Sequence, residues 1–483
     1  MRHCWYRTTL LTFVIFLVTP VAVAKELSLN DAILLALRYN PSIQNAEIDR
    51  VVQKFNLRLQ ENNFEVQYAL SGNATYTHSA QDGAHTASDN YSLNPGVSLN
   101  NSIGGQYSVN TTQGVNHSRG SNYYYSSGVT LNYTQPLLQG FGRTVTLANL
   151  NNSRDQEIIN RLNLKNTAMS TITQTISAYT ALVQAENTLK TQEISLKNSI
   201  KTRDQYAAFI KAGRKAPADL VQFQVAVANQ QLALQQQQIS IQQAKLALLN
   251  VLGIDPSTDI SVQETPKIPD IKIPTLEQCI QTALKNNIAY QSALISVRMN
   301  ERNYIVAKDA QRPSLNLTAT STWGNGGSSG SGNSSSSFAG AFNGKNVTNT
   351  VGLQLTVPIH DLTKQSQEVS AKSSLEQSRV NLAAAERQVI NDATNAYNNL
   401  VSQKQQITQA EEAVRLASLN LQIANTKLQY GRISPFEASS LQTDLTSAQI
   451  ALINTKQNYV NTVASFDQTL GITLDRWHIL LRY

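Results

Sequence analysis

Cysteine is almost missing from this chain: Cys4 and Cys279 are the only two. No CxxC pair exists and no disulfide framework can form within one chain once Cys4 is removed. Long apolar runs are as scarce. The one clear run is Leu10 to Val18, preceded by Arg2 and Arg7 and followed by Ala22-Val23-Ala24. That order of basic start, short apolar core and small-residue exit predicts a secretory signal peptide over 1–24. The alternative, a membrane anchor, needs ~20 apolar residues, more than the run supplies. With no cysteine at the cleavage site, no lipoprotein anchor is expected. A mature chain without further apolar runs can cross a membrane only as a barrel.

Charge is sparse too. Charged residues make up 15% of the chain, and the formal balance of +7 falls to +5 without Arg2 and Arg7. No Lys/Arg stripe is interleaved with aromatics, which argues against nucleic acid as a partner. Enzyme signatures are absent: there is no P-loop or HExxH, and glycine-motif matches in the low-complexity cluster at 324–330 carry no weight without a strand and helix around them. The histidines after the leader (His78, His85, His117, His360, His478) are scattered. His78 and His85 could meet on a loop, as a surface pair rather than a metal site. Cys279 falls at an apolar helical position and reads as a small buried hydrophobe. No catalysis, cofactor or metal is expected, and a protein of this kind acts by shape.

What the chain does have is a repeat. Leu29-Asn30-Asp31-Ala32-Ile33, Ala36-Leu37 and Asn40 match Leu276-Glu277-Gln278-Cys279-Ile280, Ala283-Leu284 and Asn287 at an offset of 247. Pro136 and Pro358 pair at 222. Gly213 with Gly431, Pro217 with Pro435, and Leu252-Gly253-Ile254 with Leu470-Gly471-Ile472 pair at 218. Each copy therefore reads as short helix, strand region, proline junction, long helix, Gly/Pro turn, long helix. The falling offset gives the first copy 25 extra residues in its strand region and 4 in its first long helix.

The long helices carry heptads. Leu220, Val227, Leu234, Ile241 and Leu248 are seven apart. Steps of three and four link Met169, Ile172, Ile176, Tyr179 and Val183, and likewise Ala438 through Leu445, Leu452 and Tyr459 to Phe466. Ile390, Ala393, Tyr397 and Leu400 lead on to Ile407, Val414, Leu421 and Leu428. A 3.5-residue repeat keeps one stripe on a partner only in a supercoil. Each turn thus makes an antiparallel coiled-coil hairpin. Helix from Thr144 to Ala212 would run ~100 Å. The ten Gln between 222 and 243 lie in a tract through which the heptad continues unbroken, so it reads as the uncharged wall of a helical tube rather than as disorder.

The strand regions alternate. Val66, Tyr68, Leu70, Ala74 and Tyr76; Tyr91, Leu93, Val97 and Leu99; Tyr107 and Val109; Tyr125, Val129, Leu131 and Tyr133 each share a parity. So do Leu315, Leu317 and Ala319, and Val351, Leu353, Leu355 and Val357. Apolar residues alternating with small polar ones suit an outer-membrane strand or a half-buried soluble sheet; the leader and the long hairpins favour the first. Ser79 to Asn90 and GNGGSSGSGNSSSS (324–337) read as exposed loops. At the junctions, Pro136 and Pro358 cannot donate to a ladder and belong where strand hands over to helix. Gly140 and Gly142 supply the first bend; at the second, HDLTK stands in their place.

In order and duplication, LSLNDAILLALRYNP and PTLEQCIQTALKNN, QPLLQGFGR and VPIHDLTKQ, AGRKAPADL and YGRISPFEASSL resemble the TolC family of outer-membrane efflux proteins over residues 25–472. The resemblance implies a mainly α fold with membrane β, in duplicated helix–strand–long-hairpin units. Three protomers would form one outer-membrane β-barrel continuous with a periplasmic α-helical coiled-coil barrel. It implies a passive duct in the bacterial outer membrane, serving a tripartite efflux or type I secretion system. The partners would be a homotrimer, a periplasmic adaptor, an inner-membrane pump or ABC transporter, and outer-membrane lipid. The division is then signal peptide 1–24, equatorial helices 25–65, strands 66–135, hairpin 136–252 with its tip near 211–219, linker and equatorial helices 253–312, strands 313–357, hairpin 358–470 with its tip near 429–437, and tail 471–483.

By position in the family, the tips line the periplasmic aperture and meet the adaptor. These are Gly213, Arg214, Lys215 and Asp219 in the first copy, and Gly431, Arg432 and Glu437 in the second. Rings of Asp219 and Glu437 would favour cations; equally, the two carboxylates serve as helix openers. Three features depart from the family pattern. Ser440 stands where a second acid is usual, basic residues follow the tip glycines, and the 25 extra residues, including Leu93 to Val109, either add a barrel hairpin or lengthen an external loop. The rival reading is a trimeric coiled-coil stalk on the cell surface. Such stalks place their barrel at one end, whereas here strand regions lie inside both copies.

Overall fold

The computed structural model describes residues 26–81, 84–120, 123–213, 217, 220–263, 273–325, 346–430 and 432–481. The proposed leader, Arg214, Lys215, Asp219, Gly431 and most of the Gly/Ser tract lie outside them. The elements are α1 (Leu29–Tyr39), α2 (Pro41–Asn62), β1 (Gln67–Gln81), β2 (Ala84–Asn100), β3 (Gln106–Ser118), β4 (Tyr124–Pro136), α3 (Arg143–Thr146), α4 (Ala148–Lys211) and α5 (Leu220–Leu252). There follow α6 (Leu276–Asn286), α7 (Ile288–Asp309), β5 (Ser314–Asn325), β6 (Val347–Thr356), α8 (Leu362–Gln429), α9 (Pro435–Thr469) and α10 (Thr473–Arg476).

The duplication extends to the helix ends. The bounds of α6 and α7 are those of α1 and α2 moved by 247 residues. Asn40 and Asn287, paired at that offset, are both N-caps: Asn40 Oδ1 accepts from Ser42 N at 2.8 Å and Asn287 Oδ1 from Tyr290 N at 3.0 Å. Each satisfies an amide that the first helical turn leaves without a partner.

The chain forms two compact units. One comprises the described residues within 26–39, 174–263 and 407–460. Its core joins Ala32 and Ala36 of α1, Tyr179, Leu182 and Val183 of α4, Leu248 and Leu252 of α5, and Val262. Tyr179 is 1% exposed, and its Oη donates to Leu27 O at 2.9 Å and accepts from Gln263 N at 3.2 Å. This ties the parallel bridge between Leu27 and Val262 to the helices. The predicted seam of α5 holds. Val227 and Leu248 are buried and Leu220, Leu234 and Ile241 half-buried, while eight of the ten Gln are exposed. Within this hairpin Tyr206 meets Phe223 with ring centroids 4.8 Å apart, and Gln237 Nε2 donates to Ala185 O at 2.9 Å. Polar pairs join α4 to α9: Gln184 to Asn454 at 2.6 Å and Thr446 to Ser195 at 3.2 Å.

The other unit comprises residues 40–173, 270–406 and 461–483 and holds the sheet. Six strands form one antiparallel meander in sequence order, β1 to β6. Helices here are held by buried ion pairs. Arg50 on α2 grips Glu157 on α4 through two bonds, of 2.7 and 2.5 Å, and Arg161 adds a third at 2.9 Å. The Arg50 guanidinium first, and Arg161 second, hold the Glu157 carboxyl below the usual carboxylate range against the opposing effect of burial. Arg298 and Arg302 of α7 close on Asp155.

Two expectations change. The helix expected from Thr144 is interrupted at Leu147 (φ −91°, ψ 5°), so a single turn, α3, precedes α4. Much of the loop expected over Ser79 to Asn90 is strand: β1 runs to Gln81 and β2 resumes at Ala84.

Candidate functional site

Residues directly opposite each other in an antiparallel pair project to the same side. The register can therefore be followed across all six strands. Tyr68 faces Val97, Val97 faces Val109, Val109 faces Leu131, Leu131 faces Ser321, and Ser321 faces Asn349. Rows on either side carry Leu99, Tyr107, Tyr133, Ala319 and Val351, and Ala74, Tyr91, Val115 and Tyr125. Every parity set read from the sequence thus falls on one face. Positions between them are mostly Ser, Thr, Asn, Gln and Gly, with exceptions such as Ala69, Tyr124 and Pro136. The strands contain one formal charge, Asp89, which lies 3.6 Å from His117.

Aromatics mark two levels of that apolar face. Tyr107 and Tyr133 stack at 4.7 Å. Tyr125 lies eight residues from Tyr133 on β4, ~27 Å along the strand or roughly 20 Å of height at the tilt of a membrane barrel. Among the described residues, neither edge of the sheet has a partner strand. Tyr68 on β1 is 79% exposed and Val351 on β6 74%, whereas Val129 in the middle is 7%. An open edge of this kind cannot sit in lipid alone.

The first joint begins where β4 ends. Leu137 N still donates to Leu315 O at 2.7 Å and Gln139 N to Pro313 O at 3.3 Å. Amides of alternate residues point to opposite neighbours, so the missing N–H of Pro136 faces the β3 side, where pairing has already ended at Gln106 with Thr134. The chain then turns through Gly140 (φ +79°) and Gly142 (φ +98°), backbone angles that glycine adopts freely. Gly140 N donates to the buried Asp309 at 2.6 Å and Gly142 N to Ile103 O at 3.2 Å. Ile103 belongs to the β2–β3 turn, which Asn101 organises by accepting from Ile103 N and Gly105 N at 3.0 and 2.7 Å. This turn is packed into the joint: a Cβ on Gly104 would lie 2.5 Å from Gly140 O and 2.9 Å from Pro136 Cγ.

The second joint has other parts. Pro358 follows β6, and His360 takes the left-handed bend at φ +57°. Histidine is one of the few non-glycine residues enriched in that region. Asp361 Oδ1 accepts from Lys364 N at 3.1 Å and caps α8. Gln311 reaches across to Lys364 O at 3.4 Å and Glu368 at 2.6 Å.

At the hairpin tips, Gly213 has φ +71° and its amide donates to Ile210 O at 2.9 Å. In the second tip Arg432 N donates to Lys427 O at 2.8 Å, and Ser434 Oγ caps α9 by accepting from Glu437 N at 3.1 Å. Glu437 is exposed in the first turn of α9, where the helix dipole favours a carboxylate. Two tip residues escaped the sequence reading. Tyr430 and Phe436 flank Arg432 and are 75% and 62% exposed. Their signal was the contrast with Ala212 and Ala218 at the matching places of the first copy.

His78 and His85 do meet, stacked at 5.6 Å, but on paired strands rather than on a loop. Among the described residues no group of three or more His, Cys, Asp or Glu is placed to hold a metal, and no helix is long and apolar enough to cross a membrane. Burial raises the Cys279 thiol above its ordinary range, as for an unreactive core residue.

The architecture is an open six-stranded sheet with one apolar face, jointed twice to long helices. Comparison with known proteins agrees. The outer membrane efflux protein family matches residues 279–472, which cover most of the second copy. The outer membrane efflux protein BepC of Brucella suis biovar 1 (strain 1330) is 21% identical over 340 residues, 70% of each chain. The solved structure of CusC matches with a TM-score of 0.70 at 16% identity, over 92% of both chains. The Campylobacter jejuni outer membrane channel CmeC matches with 0.69 at 15%, over 92% of this chain and 86% of that one. The chain has the fold of the outer-membrane efflux channels, and its second copy carries that family's sequence pattern. These matches are named as outer-membrane efflux proteins or channels, and none of them supports the surface stalk.

Proposed function

We propose that this chain is the outer-membrane channel of a tripartite efflux or type I secretion system. It acts as a passive duct from an inner-membrane pump across the periplasm and the outer membrane. Three copies share one β-barrel, β6 of each pairing antiparallel with β1 of the next, and their hairpins make one periplasmic tube. The observation that carries this reading is the single apolar face running through six registered strands with both edges unpaired. A periplasmic adaptor meets the hairpin tips, at Gly213, Arg214 and Lys215 and at Gly431 and Arg432, with Tyr430 and Phe436 adding exposed aromatic surface. Asp219 and Glu437 ring the periplasmic aperture. Pro136, Gly140, Gly142 and Pro358 are the barrel-to-helix joints.

The test is electrical. Purified protein in planar bilayers is expected to form discrete conducting pores, and trivalent cations added on the periplasmic side are expected to block them. Asp219→Ala with Glu437→Ala should weaken that block about ten-fold or more, as loss of a carboxylate ring would. Absence of any pore sinks the duct; unchanged block removes Asp219 and Glu437 from the aperture.

A further inference from the structure

Among the described residues, the first copy contains a strand pair that the second lacks. Ser314, which opens β5, lies 247 residues after Gln67, which opens β1; Val347, which opens β6, lies 222 after Tyr125 at the start of β4. Strands β1 and β4 therefore correspond to β5 and β6, and β2 and β3 have no counterpart among the described residues. The 25 extra residues are built into the sheet. Strand β2 is paired with β1 from Ser98 to Ala84 and with β3 from Asn100 to Ser88, and β3 is paired with β4 from Gln106 to Asn116. The added strands keep the common parity, with Tyr91, Leu93, Val97 and Val109 on the apolar face and Ser92, Asn94, Ser108 and Asn110 on the other.

We infer that this added hairpin widens the barrel to eighteen strands, where two hairpins per chain would give twelve, and that the duct is thereby fitted to polypeptide cargo. The inference rests on the duct reading above. Barrel diameter grows about linearly with strand number, so the lumen is about one and a half times as wide, in the range where a barrel leaves an open aqueous channel. Its wall is mostly hydroxyl, amide and glycine groups, with Ala69, Tyr124 and Pro136 among them, and among the described residues it carries no charge, since Asp89 falls on the apolar face opposite Tyr76. A polypeptide carries charges of both signs along its length. A charged lining would hold one sign and repel the other; an uncharged one lets both pass.

Single cysteines in the full chain, in a Cys279→Ser background, test whether β2 and β3 belong to the wall. In outer-membrane vesicles, Ser92→Cys and Asn110→Cys should react with a water-soluble, impermeant maleimide at least about ten-fold faster than Tyr91→Cys and Val109→Cys, because lumen and lipid faces alternate. Equal rates along both parities would mean an external loop and overturn the inference. Width is read in bilayers with polyethylene glycols of graded size added on the outer side. Replacing residues 82–123 by a short turn should lower the largest radius that enters by about one third, following the linear strand rule; an unchanged cut-off overturns the wider barrel. That variant also loses the turn at Asn101–Gly105 that braces the first joint, so the labelling decides if it does not fold. Unfolded peptides of opposite net charge, added on the outer side, should enter the intact channel at rates within about three-fold of each other; a difference of about ten-fold or more would assign charge selection to the duct and overturn the cargo inference. A protein that forms no channel removes the duct itself, a different result from a channel whose strands fail to alternate.

Discussion

The two joints do the same work with different materials. Each ends a strand at a proline and delivers the chain into a helix of more than sixty residues. The first uses two glycines in left-handed backbone and is braced from the β2–β3 turn by Ile103 and Gly104. The second, beside a strand pair without that insert, uses His360 for its bend, Asp361 for its cap and Gln311 as a brace. Gly140 and Gly142 are explained by backbone angle, since a Cβ on either would meet nothing closer than 3.9 Å, whereas Gly104 is explained by crowding as well. Pro136, Gly140 and Gly104 come so close that a side chain on Gly104 meets a backbone oxygen. The second joint is exposed, with Ile359 at 87%, and tolerates a side chain at its bend.

The sharpest way to break this comparison is Gly104→Ala. The new Cβ would overlap Gly140 O and Pro136 Cγ in backbone at φ +97°. Strain of about 1–2 kcal/mol for the left-handed backbone adds to about 1–3 kcal/mol for overpacking. The expected outcome is a fall of several degrees in the thermal midpoint followed by circular dichroism. A midpoint unchanged from the parent would show that the β2–β3 turn is not seated on the joint.

A second contrast lies where the two hairpins end. Leu249 and Asp467 correspond at the offset of 218, and they are 0% and 1% exposed. Burial pushes the Asp467 carboxyl up to about 6, although Arg476 beside it pulls the other way. Its Oδ1 has no hydrogen-bond partner among the described residues. The folded state therefore binds this proton more tightly than the unfolded one. The stability it contributes is complete below about pH 4 and is lost as the pH rises to about 6, a change of about 3 kcal/mol. Asp467→Asn should flatten stability over that interval and raise the midpoint at pH 7. A parallel pH profile in the two proteins would contradict the assignment to Asp467.

Much of this was legible before any coordinates. Parity sets such as Tyr125, Val129, Leu131 and Tyr133 need only the two-residue period of a strand, and the seam of Leu220 to Leu248 only the heptad. Offsets of 247 and 222 located the insertion in the strand region before Pro136 but left its form open, because a hairpin and a loop of equal length shift an offset equally. The interruption at Leu147 was hidden, since no glycine or proline marks it. Exposure of Tyr430 and Phe436 depends on how the tip closes, and local sequence reports that poorly.

The bend at His360 was hidden for a related reason: a histidine adopts left-handed backbone only where its surroundings fix it there, and the sequence names no such constraint. This gives the smallest expected effect. With φ at +57°, His360→Gly relieves the penalty that a Cβ carries in this region, about 1 kcal/mol, and is offset in part by the greater freedom of glycine in the unfolded chain. The net change should lie within about 0.5 kcal/mol of zero by the same two effects. Gly140→Ala at the first joint moves in the opposite direction and loses about 1–2 kcal/mol. Measured together by denaturant unfolding, the two substitutions separate the joints. A loss on His360→Gly equal to that on Gly140→Ala would mean that the His360 side chain itself holds the second joint.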